Sequence, residues 1–281
     1  TAASTTTAFV NLHSITTNTG TVSINASTAS GTTTLRGAGA GITNITGGAG
    51  ADAITANGAG SIVGGAGADT LSVATTNAVS VSDSDGIAIT VTAATSNITT
   101  TTALAATSIN GGTGVDTITL ANSVSNVATI TGGTGVDVIN LGASHTSGVK
   151  WVLTAESAAP TSATTVDAVI TNYVKSLDKI YATALILGVQ TATAGSGVAT
   201  ITNGVATFNG ADTTLAQHFA AVAAALQATA GATAIWTEGS DSYVYVSDGT
   251  LANAATDYAV KLVGVTAGSL TISGNAIIGI A

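Results

Sequence analysis

The chain has 281 residues, of which 45% are hydrophobic but only 7% charged and 4% aromatic. With so few large side chains it is not expected to build an ordinary globular core, whereas small residues suit a regular stack of closely spaced backbones. Its 14 acidic and 5 basic residues give a formal net charge of −9, which disfavours nucleic acid as a partner and suits cations. Cysteine is absent, which excludes disulfides, and no apolar run has the length of a membrane span.

Short segments of alternating apolar and polar residues recur from Phe9 to about Leu141. This period of two predicts strands, and the Gly, Asn, Ser and Thr residues between the segments predict turns. Strands this short bury no face alone, so successive coils are expected to stack around a continuous core. The sequence therefore predicts an all-β chain in which residues 1–150 form a parallel β-roll or β-solenoid. The segments read FVNL, VSIN, TTLR, ITNI, AVSVS, IAITVT, TITL, VATIT and VINL.

A glycine-rich box that ends in aspartate occurs four times, as GGAGADAIT, GGAGADTLS, GGTGVDTIT and GGTGVDVIN. The interval from Gly47 to Gly64 is 17 residues, and that from Gly111 to Gly132 is 21. Both intervals are near the length of a coil made of two nonapeptides, about 18 residues. The second box of each pair is therefore expected to lie directly over the first.

The residue types of the boxes predict calcium sites. Glycine tolerates a positive φ, and this conformation is expected to leave the backbone carbonyls of the box pointing inward. The aspartate, two residues after the last glycine, is expected to reach the same point with its carboxylate. Two stacked boxes would offer about six oxygen ligands, which suits a Ca²⁺ ion and neither Mg²⁺ nor Zn²⁺, so that the chain is expected to bind several Ca²⁺ ions. The predicted carboxylate pairs are Asp52 with Asp69 and Asp116 with Asp137. The predicted glycine ligands are Gly48, Gly50, Gly65, Gly67, Gly112, Gly114, Gly133 and Gly135.

Two alternatives remain open for this region. Glycine-rich turns with a solubilising aspartate would connect strands without any metal. Asp83 and Asp85, in SDSDGIAIT, lack the glycine run, so a calcium site and a plain turn are equally compatible there. The abundance of threonine also raises ice binding, but a regular TxT repeat is missing and threonine favours strands in any case.

Residues 151–281 are predicted to form a separate β-rich capping region with one helix. The segment DTTLAQHFAAVAAALQATAG predicts a helix of about 14–16 residues, with Asp212 or Thr213 as its N-cap and Gly231 as its end. Strands are predicted in AIWTEG, SYVYVSDG, DYAVKLVGV and SLTISG.

No catalytic pattern stands out, so we expect this chain not to be an enzyme. His13, His145 and His218 lie in unrelated contexts, and neither HExxH nor G-x-S-x-G occurs. Glu156 and Glu238 are isolated in sequence, whereas acid–base catalysis requires partners close in space.

The boxes resemble the RTX β-roll repeats of proteins exported by type I secretion. The segment VDAVITNYVKSLDKI is similar to the one that follows the last RTX repeats. The stretch from TLAQHF to SLTISG resembles the C-terminal region of RTX surface-layer (S-layer) proteins of the Caulobacter kind. The boxes are sparser than in RTX toxins and proteases, and Tyr173 stands where phenylalanine is usual.

This resemblance implies a secreted structural protein that assembles with itself into a two-dimensional lattice on the cell surface in the presence of Ca²⁺. A C-terminal signal within residues 151–281 would be read by the type I secretion apparatus, and cell-surface polysaccharide would be bound by a part not in this chain. It further implies that Asp178 ligates calcium at the end of the roll, with a turn-capping role as the open alternative. The second functional hypothesis is the C-terminal module of a type I-secreted adhesin or exoenzyme.

Overall fold

The computed structural model describes residues 8–12, 21–37, 43–56, 60–73, 79–83, 88–91, 96–100, 108–120, 128–146, 148–153, 165–182, 185–188, 195–226, 229–250 and 256–280. These residues form mostly β-strands and one α-helix, so the predicted all-β class with one helix is confirmed for this part of the chain. No helix in the same ranges combines the length and apolarity needed to cross a membrane.

The chain divides into two compact units. Unit 1 comprises Thr1–Gly133 and Asn140–Ser147, and unit 2 comprises Thr134–Ile139 and Gly148–Ala281. The functional division into 1–150 and 151–281 stays a prediction.

Unit 1 contains the first thirteen strands, apart from the last residue of β13. The odd-numbered strands are neighbours in the order β1-β3-β5-β7-β9-β11-β13, and the even-numbered ones in the order β2-β4-β6-β8-β10-β12. Every described register from β1 to β11 and from β2 to β12 is parallel. The strands are β1 Ala8–Leu12, β2 Val22–Asn25, β3 Thr33–Gly37, β4 Thr43–Thr46, β5 Ala53–Ala56, β6 Gly60–Val63, β7 Thr70–Val73, β8 Val79–Asp83, β9 Ala88–Val91, β10 Ser96–Thr100, β11 Ser108–Thr113, β12 Thr117–Thr119 and β13 Ala128–Thr134.

The core of unit 1 consists of two columns of aliphatic residues, one in each set of strands. Those whose burial is described are at most 7% exposed. Since successive side chains of a strand point to opposite faces, burial alternates along these strands, as in β3, where Thr33, Leu35 and Gly37 are buried and the two residues between them are not. One column contains the buried Ile24, Ile45, Ile62, Ile98 and Ile118, and Val81 holds the register position between Ile62 and Ile98. The other contains the buried Leu35, Ile54, Leu71 and Ile109, and Val10 and Ile89 hold register positions in the same row.

Unit 2 contains the remaining elements, apart from the last residue of β14, and its pairing is mixed. One sheet has the order β15-β17-β25-β24, in which only the first pair is parallel. The other has the order β14-β16-β23-β22-β21-β20-β19, with antiparallel pairs around β22 and with β18 beside β21. The elements are β14 Asp137–Asn140, β15 Val149–Val152, β16 Ala168–Thr171, β17 Lys179–Tyr181, β18 Ile186–Leu187, β19 Thr200–Thr202, β20 Val205–Thr207, α1 Leu215–Leu226, β21 Ala232–Glu238, β22 Asp241–Val246, β23 Tyr258–Leu262, β24 Leu270–Ser273 and β25 Ala276–Ile280. Because pairing over the described strands is mixed, the finer assignment of a parallel roll stays a prediction.

The helix of unit 2 covers an aromatic cluster. Phe219 packs edge-on against Trp236 and Tyr243, with ring centroids 5.0 and 5.6 Å apart, and Trp236 stacks on Tyr243 at 5.5 Å. Such pairs add to the stabilisation from burial alone.

The N-terminus of helix α1 differs from the sequence prediction. The backbone N–H of Gln217 donates to the Thr214 hydroxyl at 3.3 Å, and the Gln217 amide oxygen accepts from the backbone N–H of Thr214 at 2.9 Å. This reciprocal capping box makes Thr214 the N-cap, so the assignment of Asp212 or Thr213 as N-cap was wrong.

Candidate functional site: the aspartate turns

Asp52, the aspartate of the first box, is buried and only 2% exposed. Its Oδ1 accepts hydrogen bonds from the backbone N–H and the hydroxyl of Thr33, at 2.7 and 2.8 Å. Its Oδ2 accepts from the backbone N–H of Gly48, four residues earlier, at 2.7 Å. The carboxylate therefore closes its own turn and ties it to the first residue of β3, nineteen positions back.

Asp52 and Asp69 occupy adjacent turns, as predicted. The backbone N–H of Asp52 donates to Oδ1 of Asp69 at 2.8 Å, and the N–H of Thr70 donates to the carbonyl of Asp52 at 2.8 Å. The turns of the first two boxes are thus bonded to each other through both side chain and backbone, and these bonds offset the cost of burying the carboxylates.

Asp178 in unit 2 makes the same arrangement without a glycine box. Its Oδ2 accepts from the N–H of Val174, four residues earlier, at 2.7 Å, and its Oδ1 accepts from the N–H of Val149, the first residue of β15, at 2.8 Å. We call a carboxylate with these two acceptor bonds an aspartate staple. The turn-capping role left open for Asp178 is therefore present, whereas calcium ligation by Asp178 stays a prediction.

Tyr173 supports the Asp178 staple. Its hydroxyl donates to the backbone carbonyl of Asp178 at 3.0 Å. Burial, and secondarily the nearby Asp178 carboxylate, raise the pKa of Tyr173, so the phenol stays neutral and able to donate.

The first glycine of a box lies where two oxygens converge. A Cβ on Gly47 would lie 2.6 Å from Oδ2 of Asp52 and 2.0 Å from the carbonyl oxygen of Gly64 in the next turn. A Cβ on Gly111 would meet the same pair, Oδ2 of Asp116 at 2.6 Å and the carbonyl oxygen of Gly132 at 2.4 Å. The missing side chain therefore leaves room for a carboxylate oxygen and a carbonyl oxygen of successive turns to approach one point.

The second glycine of a box is required by backbone contact along the stack. Gly65 has φ of 110°, and a Cβ there would lie 2.1 Å from the carbonyl oxygen of Gly48. That carbonyl accepts from the N–H of Ala66 at 2.9 Å, so one of its lone pairs is used along the stack, and its role as a calcium ligand stays a prediction. A Cβ on Gly50 would likewise lie 2.5 Å from the carbonyl carbon of Gly31. The predicted positive φ also occurs at Gly67, Gly112, Gly114, Gly133 and Gly135.

The other predicted acidic ligands lie in different parts of the chain. Asp116 is buried in unit 1, and Asp137 is buried in unit 2, where its N–H donates to the carbonyl of Asp167 at 3.1 Å. Their pairing as calcium ligands stays a prediction. Asp83 ends β8 and its side chain is not described, and Asp85 lies outside the described residues.

Most of the acidic residues are inside the protein. Eight of the 14 are buried aspartates, so the net charge of −9 gives a poor description of the surface. The four box aspartates are at most 2% exposed, which rules out the solubilising role considered for them. The eight are Asp52, Asp69, Asp116, Asp137, Asp167, Asp178, Asp212 and Asp257.

The donor set of the boxes fits calcium in type. Within the described ranges no group of three or more His, Cys, Asp or Glu side chains is placed to hold a metal ion. A cation at Gly47 or Gly111 would instead meet one carboxylate oxygen and at least one backbone carbonyl, all oxygen donors of the kind that Ca²⁺ prefers.

Sequence reasoning missed the role of Thr33. It expected the carbonyls of the first glycines of the boxes to point inward with the others, but it did not name those glycines as ligands. They are Gly47, Gly64, Gly111 and Gly132. Nothing in the sequence marked Thr33, whose contact with Asp52 depends on the register between β3 and β5.

Comparison with known proteins adds no assignment. No protein-family model matches the chain, and no curated protein matches it at a significant level.

Proposed function

We propose that this chain is a secreted structural module of a cell-surface layer, whose stacked turns are ordered by Ca²⁺ and which assembles with copies of itself into a lattice. The observation that carries this proposal is the repeated convergence of a carboxylate oxygen and a next-turn carbonyl oxygen at the first glycine of a box. The same proposal assigns the chain no enzymatic activity.

The β-roll is the architecture we propose for residues 1–150. Alternate strands of unit 1 return to the same sheet in parallel register, as successive coils would. The steps along one core column, from Ile24 to Ile45 and on to Ile118, are 17 to 21 residues long, close to the predicted coil. The continuous aliphatic columns support this, because short strands need stacked neighbours to bury a face.

Calcium would be held by Asp52 and Gly64 near Gly47, and by Asp116 and Gly132 near Gly111. Bound Ca²⁺ would cancel the electrostatic repulsion between the buried carboxylates of successive turns. The staples and the metal are compatible, because the three bonds to Asp52 leave lone-pair capacity on its carboxylate. Free calcium is scarce inside cells and abundant outside, so the fold would tighten after export.

The faces of unit 1 support a packing role. In the even-numbered strands the residues flanking the core column carry no charge. Small uncharged side chains allow flat sheets to pack closely, and they offer no charged group that contact would desolvate. One such row contains Ser23, Asn44, Ser61, Ser80, Asn97 and Thr117.

The proposal predicts calcium-dependent assembly. Full-length chain depleted of metal with chelator is expected to form ordered sheets after millimolar Ca²⁺ is added, as seen by negative-stain electron microscopy, with a matching rise in β-structure by circular dichroism. The double variant Asp52→Asn/Asp116→Asn removes the two carboxylates and is expected to need at least about tenfold more calcium. Asp248→Asn, at a partly exposed position outside the boxes, is the control and is expected to respond like the unmodified chain.

The outcomes separate the hypotheses. Folded monomers that bind calcium but form no sheets would favour the secretion module of an adhesin or exoenzyme. A chain that neither binds calcium nor changes on its addition would contradict the calcium proposal altogether.

A further inference from the structure

Three of the five basic residues of the chain surround the Asp178 staple. Each of these lysines directly follows one of the residues that the staple joins, Val149, Val174 and Asp178. We call the three together the lysine patch, which consists of Lys150, Lys175 and Lys179. The patch therefore gathers most of the positive charge of the chain at one place in unit 2.

Lys150 and Lys179 lie side by side on one face of a sheet. They are register partners in the parallel pair of β15 and β17, so their side chains leave the same face from strands about 4.8 Å apart. Nζ of Lys150 lies 4.3 Å from the centre of the Tyr181 ring, a cation–π contact that holds the ammonium group at this face. Like charges opposite each other destabilise a sheet, so the lysine pair costs free energy in the isolated chain.

Lys175 lines an open groove of about 830 Å³ beside the staple. Its Nζ donates to the backbone carbonyl oxygen of Thr266 at 3.1 Å, which fixes the ammonium group at the groove. Ser176 and Thr266 are exposed there, and their hydroxyls can both donate and accept hydrogen bonds. The groove therefore presents a cation and two hydroxyl groups to a ligand.

Within the described part of the chain, none of the three lysines takes part in an ion pair. The Asp178 carboxylate is only 1% exposed, and its two oxygens accept from the N–H groups of Val149 and Val174. It therefore offers no exposed counter-charge to the patch. The lysine patch is thus a basic surface on a chain whose formal net charge is −9.

We propose that the lysine patch binds an acidic polysaccharide, with carboxylate groups at Lys150 and Lys179 and a sugar unit in the groove at Lys175. An anionic group between Lys150 and Lys179 would remove the repulsion between them, so binding would recover the free energy that this pair costs. The choice of a polysaccharide rests partly on the proposed place of the chain at a cell surface. It concerns this chain's own surface and is separate from the polysaccharide contact that the resemblance placed outside the chain.

Charge and composition disfavour other anionic partners. Proteins that bind nucleic acid tightly contact about 6–10 phosphates and favour arginine, whereas the only arginine, Arg36, belongs to unit 1. Anionic membranes are recognised by clusters of about 4–8 basic residues, more than the patch contains. A second copy of the chain offers few acidic groups, because eight of its 14 acidic residues are buried and Asp241 is paired with Lys261.

Binding of the full chain to soluble probes at constant calcium tests the proposal. Hyaluronan, a polysaccharide that carries carboxylates, is expected to bind in isothermal titration calorimetry, and the affinity is expected to fall between about 50 and 200 mM salt. Neutral dextran is expected not to bind. The patch variant Lys150→Gln/Lys179→Gln is expected to bind hyaluronan about tenfold more weakly. Arg36→Gln/Lys261→Gln removes two positive charges elsewhere and, as the matched control, is expected to bind like the unmodified chain.

The single variant Lys179→Gln gives a second measurement. Because it removes one of two facing ammonium groups, the variant is expected to be at least as stable towards urea as the unmodified chain. Weaker hyaluronan binding by this variant then comes from the lost charge and not from unfolding. A clear loss of stability would contradict the unfavourable lysine pair on which the proposal depends.

Two further results would overturn the proposal. One is hyaluronan binding that is absent, or that is equal in the patch variant and its control. The other is tighter binding of poly-L-glutamate, duplex DNA or vesicles with an anionic lipid, which would assign the patch to another partner. The patch variant is expected to form sheets in calcium like the unmodified chain, so failure of polysaccharide binding and failure of the proposed function are distinguishable.

Discussion

Replacing Asp178 with alanine is expected to lower the free energy of unfolding of unit 2 by about 3 kcal/mol. The change leaves the backbone N–H groups of Val149 and Val174 without their carboxylate acceptor in a site that is only 1% exposed. Each buried donor left unsatisfied costs about 1–3 kcal/mol. Asp178→Asn is expected to cost about 2 kcal/mol, because its amide NH₂ must face one of the two donors.

Urea unfolding followed by tryptophan fluorescence measures this effect, since both tryptophans, Trp151 and Trp236, belong to unit 2. Ser176→Ala is the matched control, because Ser176 is exposed in the same turn and its change should stay within about 0.5 kcal/mol. If Asp178→Ala unfolds like this control, the staple contributes nothing to stability.

Replacing Gly65 with alanine is expected to destabilise unit 1 by about 4 kcal/mol. The new Cβ would lie 2.1 Å from the carbonyl oxygen of Gly48, and φ of 110° is strained for any residue with a side chain. Overpacking in a rigid site costs about 1–3 kcal/mol, and a left-handed conformation about 1–2 kcal/mol more.

Two variants separate these contributions. Gly264→Ala places a Cβ in open space at φ of 71° and is expected to cost about 1 kcal/mol, the conformational part alone. Ala66→Ser, at an exposed position beside Gly65, is expected to be neutral. Hydrogen exchange at the backbone amides of β5 and β7 measures the stability of unit 1. Unchanged protection of these amides in Gly65→Ala would contradict the close stacking of the first two box turns, which contain Gly48 and Gly65.

Periodicity predicted several strands of unit 1 and their core residues, because Ile24, Ile45 and Ile118 each stand between two polar neighbours. It missed β6, Gly60–Val63, and β10, Ser96–Thr100, which were not among the predicted segments. The helix was also visible, because Phe219, Val222 and Leu226 share one face. Its N-cap was misassigned because three residues that often cap helices, Asp212, Thr213 and Thr214, are consecutive in the sequence. The hydrogen bonds between Thr214 and Gln217 in the structure identify Thr214 as the N-cap.

Contacts between distant segments could not be read from the sequence. The acceptor role of Asp52 depends on Thr33, and that of Asp178 on Val149, partners that are fixed by sheet register and by no local motif. The burial of the aspartates could not be read from composition for the same reason. Eight of them are buried, and backbone N–H groups serve as hydrogen-bond donors to carboxylates such as those of Asp52, Asp69 and Asp178.

Hydrogen exchange of the full chain with and without calcium tests the central claim most directly. If Ca²⁺ binds between successive turns, amides of 47–56 and 111–118 are expected to gain at least about tenfold protection in millimolar calcium, while those of 232–246 in unit 2 stay unchanged. Equal protection of the box amides in calcium and in excess chelator would contradict it, and the aspartate turns would then act without metal.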